Sequence, residues 1–280
     1  MKTYTEDQLV KSFVNKIHPH NFLGEPGIFL EQVETSHGIP DLIVLSRRQV
    51  KDLDSFVSRF PEINLTNGHA KIISNLRKSK YISKSSLIKK SGLRKEYLEK
   101  VIKILKSIGV VDENAEGYKL NLKFSLPKLD VWSFEFKLNN WRKALRQSLR
   151  HRTFSSHVSI VMPYSRLDSL SKNVNYFRRF KVGAAVFDMQ TGQFQFVVKP
   201  AKCGAISKHS YIDTLGRLSM VSLLTNDTSS HLRILKAGLR KISLRLSFDK
   251  LRINAKRKLH FNNFSVSLKF GKIFSNTVSQ

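Results

Sequence analysis

The chain has 280 residues, 41% of them hydrophobic, which is enough for one large domain or two smaller ones with real cores and excludes wholesale disorder. Its 49 basic and 21 acidic residues leave a net charge of +28, and such an excess predicts a polyanionic partner, nucleic acid ahead of a membrane surface. The single cysteine, Cys203, excludes an internal disulfide and a cysteine-based zinc site, and no stretch approaches the roughly 18 apolar residues of a membrane span.

In chain order, "MKTYTEDQLVKSFVNKI" predicts an amphipathic helix over 5–17, with Leu9, Phe13 and Ile17 at four-residue spacing. Acids in its first turn argue against a signal peptide, so a soluble, reducing, cytoplasmic setting is expected. "HPH" (18–20) reads as an exposed turn rather than a metal site. "GIFLEQVE" and "DLIVLS" read as strands joined by the turn "TSHGIP", with Gly and Pro as punctuation.

Residues 66–123 then carry a helical pattern of their own. "GHAKIISNLRKSKY" places Ile72, Ile73 and Leu76 on one face, and "SKSSLIKKSGL" is a short helix opened by Ser83 and ended at Gly92. "RKEYLEKVIKILKSIGVV" turns Leu98, Val101, Ile102 and Leu105 inward and stops at Gly109. "VVDENAEGYKLNLKF" reads as two strands around a turn.

After this, "DVWSFEFKL" alternates as a strand, "NWRKALRQSLRHRTF" is helical, and "HVSIVMP" is a buried strand. Trp132 and Trp141 read as core anchors. "RLDSLSKNVNYFRRF" reads as one helix, and "VGAAVFDMQTGQFQFVVKP" as strand, turn and strand. Beyond 225, basic and apolar residues alternate. That segment suits either a basic extension along a DNA backbone or a strand pair, with "AKRK" (255–258) either on phosphate or simply solvated. The fold class is α/β, a mixed sheet flanked by helices.

Charge divides the chain unevenly. Residues 1–63 hold 7 basic and 9 acidic residues, 64–125 hold 14 and 5, 126–224 hold 16 and 5, and 225–280 hold 12 and 2. The polyanion is therefore expected on every segment except the first.

Three ionisable residues form a chemical pattern. Asp41 opens "DLIVL" directly after Pro40, and Glu135 and Lys137 stand at i and i+2 on a strand, so their side chains leave the same face. Two carboxylates on adjoining strands suit a hard divalent cation such as Mg²⁺ or Mn²⁺. A lysine beside them suits orienting a water or steadying charge that develops on a phosphate. A solvated ion pair on a strand face is the plainer alternative.

The residues "GIPD" (38–41) and "EFK" (135–137) resemble the PD-(D/E)XK nuclease superfamily, over roughly residues 1–60 and 126–200. The resemblance implies a restriction-endonuclease-like core with catalytic Asp41, Glu135 and Lys137, of which Asp41 and Glu135 would be metal ligands. It also implies a supporting Gln147 on the following helix and an acidic residue on the first helix, for which Glu6 is the candidate. Glu31 and Glu34 compete for that supporting role. The 94 positions between Asp41 and Glu135 depart from the usual pattern of neighbouring hairpin strands and require an insertion.

That insertion, three helices and a hairpin over 64–125, resembles a winged helix-turn-helix domain. The resemblance implies DNA contact from the third helix, where Arg94, Lys95, Tyr97 and Lys100 are the exposed candidates, with Lys89 and Lys90 better placed for phosphates. The acidic tip "DENAEG" departs from a DNA-contacting wing, and a protein-interaction module is the rival reading. Arg142, Lys143, Arg146 and Arg150 would line a phosphate-facing helix. The resulting expectation is a Mg²⁺-dependent DNA endonuclease with nuclease-core parts at 1–63 and 126–224, a winged-helix insertion and a basic C-terminal extension. A homodimer is needed if it cuts both strands. A catalytically silent DNA-binding regulator and a nuclease for RNA or structured junctions are the alternatives.

Overall fold

The computed structural model describes residues 4–60 and 65–225, with side chains described as far as residue 219. The basic extension beyond 225, including "AKRK", lies outside the described residues.

The first helix, α1 (Glu6–Lys16), starts at a capping box in which Thr5 and Gln8 satisfy each other's backbone N–H groups. A short α2 (His20–Leu23) follows, with His18 and His20 exposed around buried Pro19. Strands β1 (Gly27–Glu31) and β2 (Leu42–Ser46) form the expected hairpin, its turn closed by Thr35 and Gly38.

Helix α3 (Arg47–Arg59) then begins at a second capping box, Ser46 with Gln49. Its apolar side, Leu53 and Phe56, is buried, and the Gln49 amide donates to the Asp130 carbonyl. Sequence reasoning left this helix unassigned, although the Ser-x-x-Gln box and the Val50, Leu53, Val57 spacing were its signals.

Residues 67–120 form the three helices and the hairpin expected of them. Helices α4 (Asn67–Asn75), α5 (Lys84–Ser91) and α6 (Lys95–Ser107) precede the hairpin β3 (Val111–Asn114) and β4 (Gly117–Leu120). Ser83 caps α5, and Gly92 ends it in the left-handed region at φ 64°, a conformation that costs glycine nothing sterically. The apolar faces of these helices do not close on themselves alone. Ile72, Leu87, Leu98 and Leu105 share one core with Leu53 and Phe56 of α3 and with Ile212 and Leu215 further along the chain.

The remaining elements are β5 (Trp132–Phe136), α7 (Trp141–His151), β6 (His157–Pro163), α8 (Leu167–Ser171), α9 (Val174–Phe180), β7 (Gly183–Phe187), β8 (Phe194–Val198) and α10 (Lys208–Thr225). The helix expected over 166–180 is broken into a 3-10 turn and two short helices. The Asn173 side chain donates to the Ser169 carbonyl, taking an acceptor that a continuing helix needs. Helix α10 was not anticipated. It joins α4 to the segment leading into β5: Lys208 Nζ lies 3.4 Å from the Ile73 and Leu76 carbonyls, and the Tyr211 hydroxyl donates to Pro127 and accepts from Leu129.

One mixed six-stranded sheet runs in the order β1-β2-β5-β6-β7-β8. The β5–β6 and β6–β7 pairs are parallel and the rest antiparallel. Helix α1 packs on one face through Phe13, whose ring meets Phe29, Phe134, Phe136, Phe187 and Phe194. Helices α7 and α9 cover the other face through Ala144, Leu145 and Phe177, against Val158, Ile160 and Ala184. Strands β6 and β7 alternate between the two cores, as a sheet covered on both sides requires. Among the described residues, no helix is long and apolar enough to cross a membrane.

Candidate active site

The register of the sheet brings the distant acids together. Because Leu42 pairs with Phe134 in an antiparallel ladder, Asp41 comes level with Glu135 on the neighbouring strand. Directly opposed positions share a face with Cβ atoms about 5 Å apart. The Asp41 carboxylate is aimed by the Phe136 backbone N–H, which donates to Oδ2 at 2.8 Å. Phe134 and Phe136 pack under α1, so Glu135 between them points to the opposite face, toward α7.

Glu135 is 3% exposed. Burial, and next the negative charge of Asp41, push its carboxyl up to about 7, against the pull of Lys137. Such a carboxyl takes a proton at mildly acidic pH and gains from any cation brought beside it. Lys137 follows at the strand end, its Nζ 3.1 Å from Glu135 Oε1, 2.9 Å from Glu6 Oε2 and 3.0 Å from the Phe136 carbonyl. Burial alone would lower the Lys137 ammonium, but hydrogen bonding to Glu6 and the charges of Glu135 and Asp41 hold it above its ordinary value. Lys137 is therefore a fixed cation.

Glu6 reaches this point because of packing two helical turns away. It lies seven residues before Phe13 and so shares that residue's face of α1, and the five-ring cluster around Phe13 pins the helix. The rival acids do not join it. Glu31 stands opposite Leu42 and hence on the α1 face, away from Glu135, while Glu34 lies 3.8 Å from Arg217.

Helix α7 closes the site from the other side. Gln147 is half-buried, with an Oε1 that takes no hydrogen bond. One turn on, His151 is 3% exposed with its Nε2 3.8 Å from Glu135 Oε2. Burial, and secondarily the Arg150 charge, lower the His151 imidazole to about 4, so it faces Glu135 as a neutral ring. Sequence reasoning missed His151. Its signal was the i, i+4 spacing from Gln147 on the apolar side of the helix.

The basic candidates are where their patterns put them. Arg142, Lys143, Arg146 and Arg150 all lie on the exposed side of α7, and Lys89, Lys90, Arg94, Lys95 and Lys100 are exposed on the α5–α6 unit. Tyr97 is 45% exposed, but a Cβ built on Gly68 of α4 would sit 2.5 Å from its hydroxyl, so that end packs against α4. Acids are interleaved here: Glu99 pairs with Lys84, and Glu113 of the hairpin pairs with Lys106.

The donors suit a hard cation by count. Mg²⁺ is commonly held by one or two carboxylates with waters completing its shell, and Asp41 and Glu135 supply two. Among the described residues no set of three or more His, Cys, Asp or Glu is gathered as a metal cluster. Comparison of the chain with family models, with characterised proteins and with solved structures found no match.

Proposed function

We propose that the protein is a divalent-metal-dependent endonuclease, of the PD-(D/E)XK type in a restriction-endonuclease-like core, hydrolysing phosphodiester bonds in DNA. The observation that carries this reading is the opposed pair Asp41 and Glu135. Two carboxylates are held level, one buried and raised to about 7 by burial and its neighbour, with a fixed lysine at hydrogen-bonding distance. A pair kept together against its own repulsion calls for a cation, and Mg²⁺ or Mn²⁺ fits the oxygen donors.

Asp41 and Glu135 would hold that ion, and the chemistry it supplies when bound is Lewis-acid polarisation of a phosphoryl oxygen. The protein's own part is positional. The Phe136 N–H fixes the Asp41 carboxylate, and His151 bounds the second oxygen of Glu135. Glu6 and the Phe136 carbonyl hold the Lys137 ammonium in place, where it would orient the attacking water or counter the charge growing on the phosphate. The exposed basic row of α7 starts five residues after Lys137 and would carry the DNA backbone. The α4–α6 unit with its hairpin would act as a winged helix and add affinity or site preference.

The test is incubation of supercoiled plasmid with Mg²⁺. Nicking or linearisation is expected, lost in Asp41→Ala, Glu135→Ala and Lys137→Ala while filter binding of DNA in EDTA stays within about twofold of wild type, since affinity rests on basic residues elsewhere. Wild-type cleavage by any of the three would remove the site assignment.

A further inference from the structure

Between 142 and 181 the chain holds ten basic residues and one acid, Asp168. Half of that charge belongs to α7 and its end; the rest runs from Arg166 to Lys181, around α8 and α9, and had no role in the sequence reading. The two helices are neighbours on the same sheet face. Trp141 at the start of α7 meets the Tyr176 ring at 5.7 Å and the Phe177 ring at 5.5 Å, and Arg152 just after α7 donates to the Phe180 carbonyl at the end of α9. Phe177 is the buried anchor of α9.

The outer side of α9 is unusual for a solvated helix. Tyr176 is 52% exposed and Phe180 36% exposed, and they stand at i and i+4, stacked along one face about 6 Å apart in rise. Arg179 stands beside them, exposed, with its guanidinium over the Phe180 ring, and the Arg142 guanidinium lies over Trp141. Exposed rings cost the free protein solvation and offer a flat apolar face, and guanidinium groups beside them offer charge to a phosphate. One class of ligand carries both complements: a nucleic-acid strand whose bases are unpaired. In a duplex the base faces are stacked on each other and the rings would have nothing to take.

The ridge also begins near the candidate active site. Lys137 and Trp141 are four residues apart, so their backbones lie within about 14 Å, and Tyr176 adjoins Trp141. From these observations we infer that the outer face of α9, with Tyr176 and Phe180 as stacking platforms and Arg179 as a phosphate contact, binds single-stranded DNA beside the candidate cleavage site. The inference rests on the reading of DNA as substrate. It deepens that reading to substrates with an unpaired strand next to the scissile bond.

The experiment is anisotropy titration of fluorescein-labelled oligothymidylate, and of a duplex of equal length, in EDTA. Tyr176→Ala and Phe180→Ala should each weaken the single strand about 5- to 150-fold and the duplex by less than twofold, since base–aromatic stacking is the contact removed. Tyr176→Trp should keep the single-strand affinity. Arg179→Ala should weaken both ligands and flatten the single-strand salt slope by about 0.7. The three substituted side chains are exposed, and circular dichroism checks that each variant keeps its fold.

Wild-type single-strand binding by both alanine variants overturns the inference, and the surface then serves some other partner. Equal losses on both ligands also overturn it, leaving a charged patch without a stacking role. Plasmid cleavage measured in parallel separates the two readings. Selective loss of strand binding with no cleavage by wild type ends the nuclease reading and keeps the ridge, whereas cleavage with intact strand binding ends the ridge alone.

Discussion

Replacing Glu135 by Gln should stabilise the metal-free protein at pH 8 and leave it nearly unchanged at pH 5. In the folded chain the Glu135 carboxyl is raised from 4.5 to about 7, chiefly by burial and next by the charge of Asp41. The folded state therefore binds more protons than the unfolded state between those two values, so stability is full below 4.5 and is lost as pH rises through about 7. At about 1.4 kcal/mol per pH unit, the loss by pH 8 is about 3 kcal/mol. Gln has the shape of the protonated acid and avoids it. The pull of Lys137 on the carboxylate is already contained in that value, and in the variant Glu6 still holds Lys137 at 2.9 Å. The expected gain is therefore about 3 kcal/mol, or a rise in Tm of about 6–12 °C for a domain of this size. Thermal melts of wild type and Glu135→Gln in EDTA at pH 5 and pH 8 measure it. Adding Mg²⁺ at pH 8 should then raise the Tm of wild type more than that of the variant, because binding to the folded state alone is stabilising. A Tm difference that is the same at both pH values would refute the strained carboxylate pair, and with it the reason for expecting a cation there.

On the acid side the sign reverses for two buried imidazoles. Burial lowers both His69 and His151 to about 4, so the unfolded chain binds more protons below 6.5 and stability should fall as pH drops from 6.5 to 4. His69→Asn should blunt that fall in melts taken at half-unit steps. DNA affinity should decline with salt by about 0.9 in log K per neutralised phosphate per log unit, and an affinity indifferent to salt would remove the electrostatic footprint. Within the α5–α6 unit, Arg94→Ala should cost a preferred duplex roughly 1–3 kcal/mol more than a scrambled one, while Lys89→Ala should weaken both alike. Tyr97→Ala should behave as Arg94→Ala does, with a further loss of packing on Gly68 that shows as a lower Tm. Competition binding separates these outcomes, and equal losses for Arg94→Ala on both duplexes would demote the unit to a non-specific clamp.

What the residues determined by themselves was local. Apolar alternation marks β5, a continuous apolar run marks β6, Ser83 and Gly92 bound α5, and the buried rows of α4 and α6 follow from helical spacing, because each depends only on neighbours a turn or a pleat away. The i, i+2 placement of Glu135 and Lys137 on one strand face belongs with these, as does the exposed basic row of α7. Other features were decided only by the tertiary structure. The level pairing of Asp41 with Glu135 comes from the β2–β5 register, across 94 residues of chain, and no local pattern encodes a ladder between distant strands. Glu6 rather than Glu31 or Glu34 meets Lys137 because Phe13 seats α1 on a particular ring cluster, and that choice is made by packing. The clamp of α10 on α4 and the approach of His151 to Glu135 likewise depend on which side chain reaches a given acceptor once the core has formed. Strand register and side-chain reach are properties of the assembled core, where the gain from burying many distant residues together outweighs what any short stretch prefers.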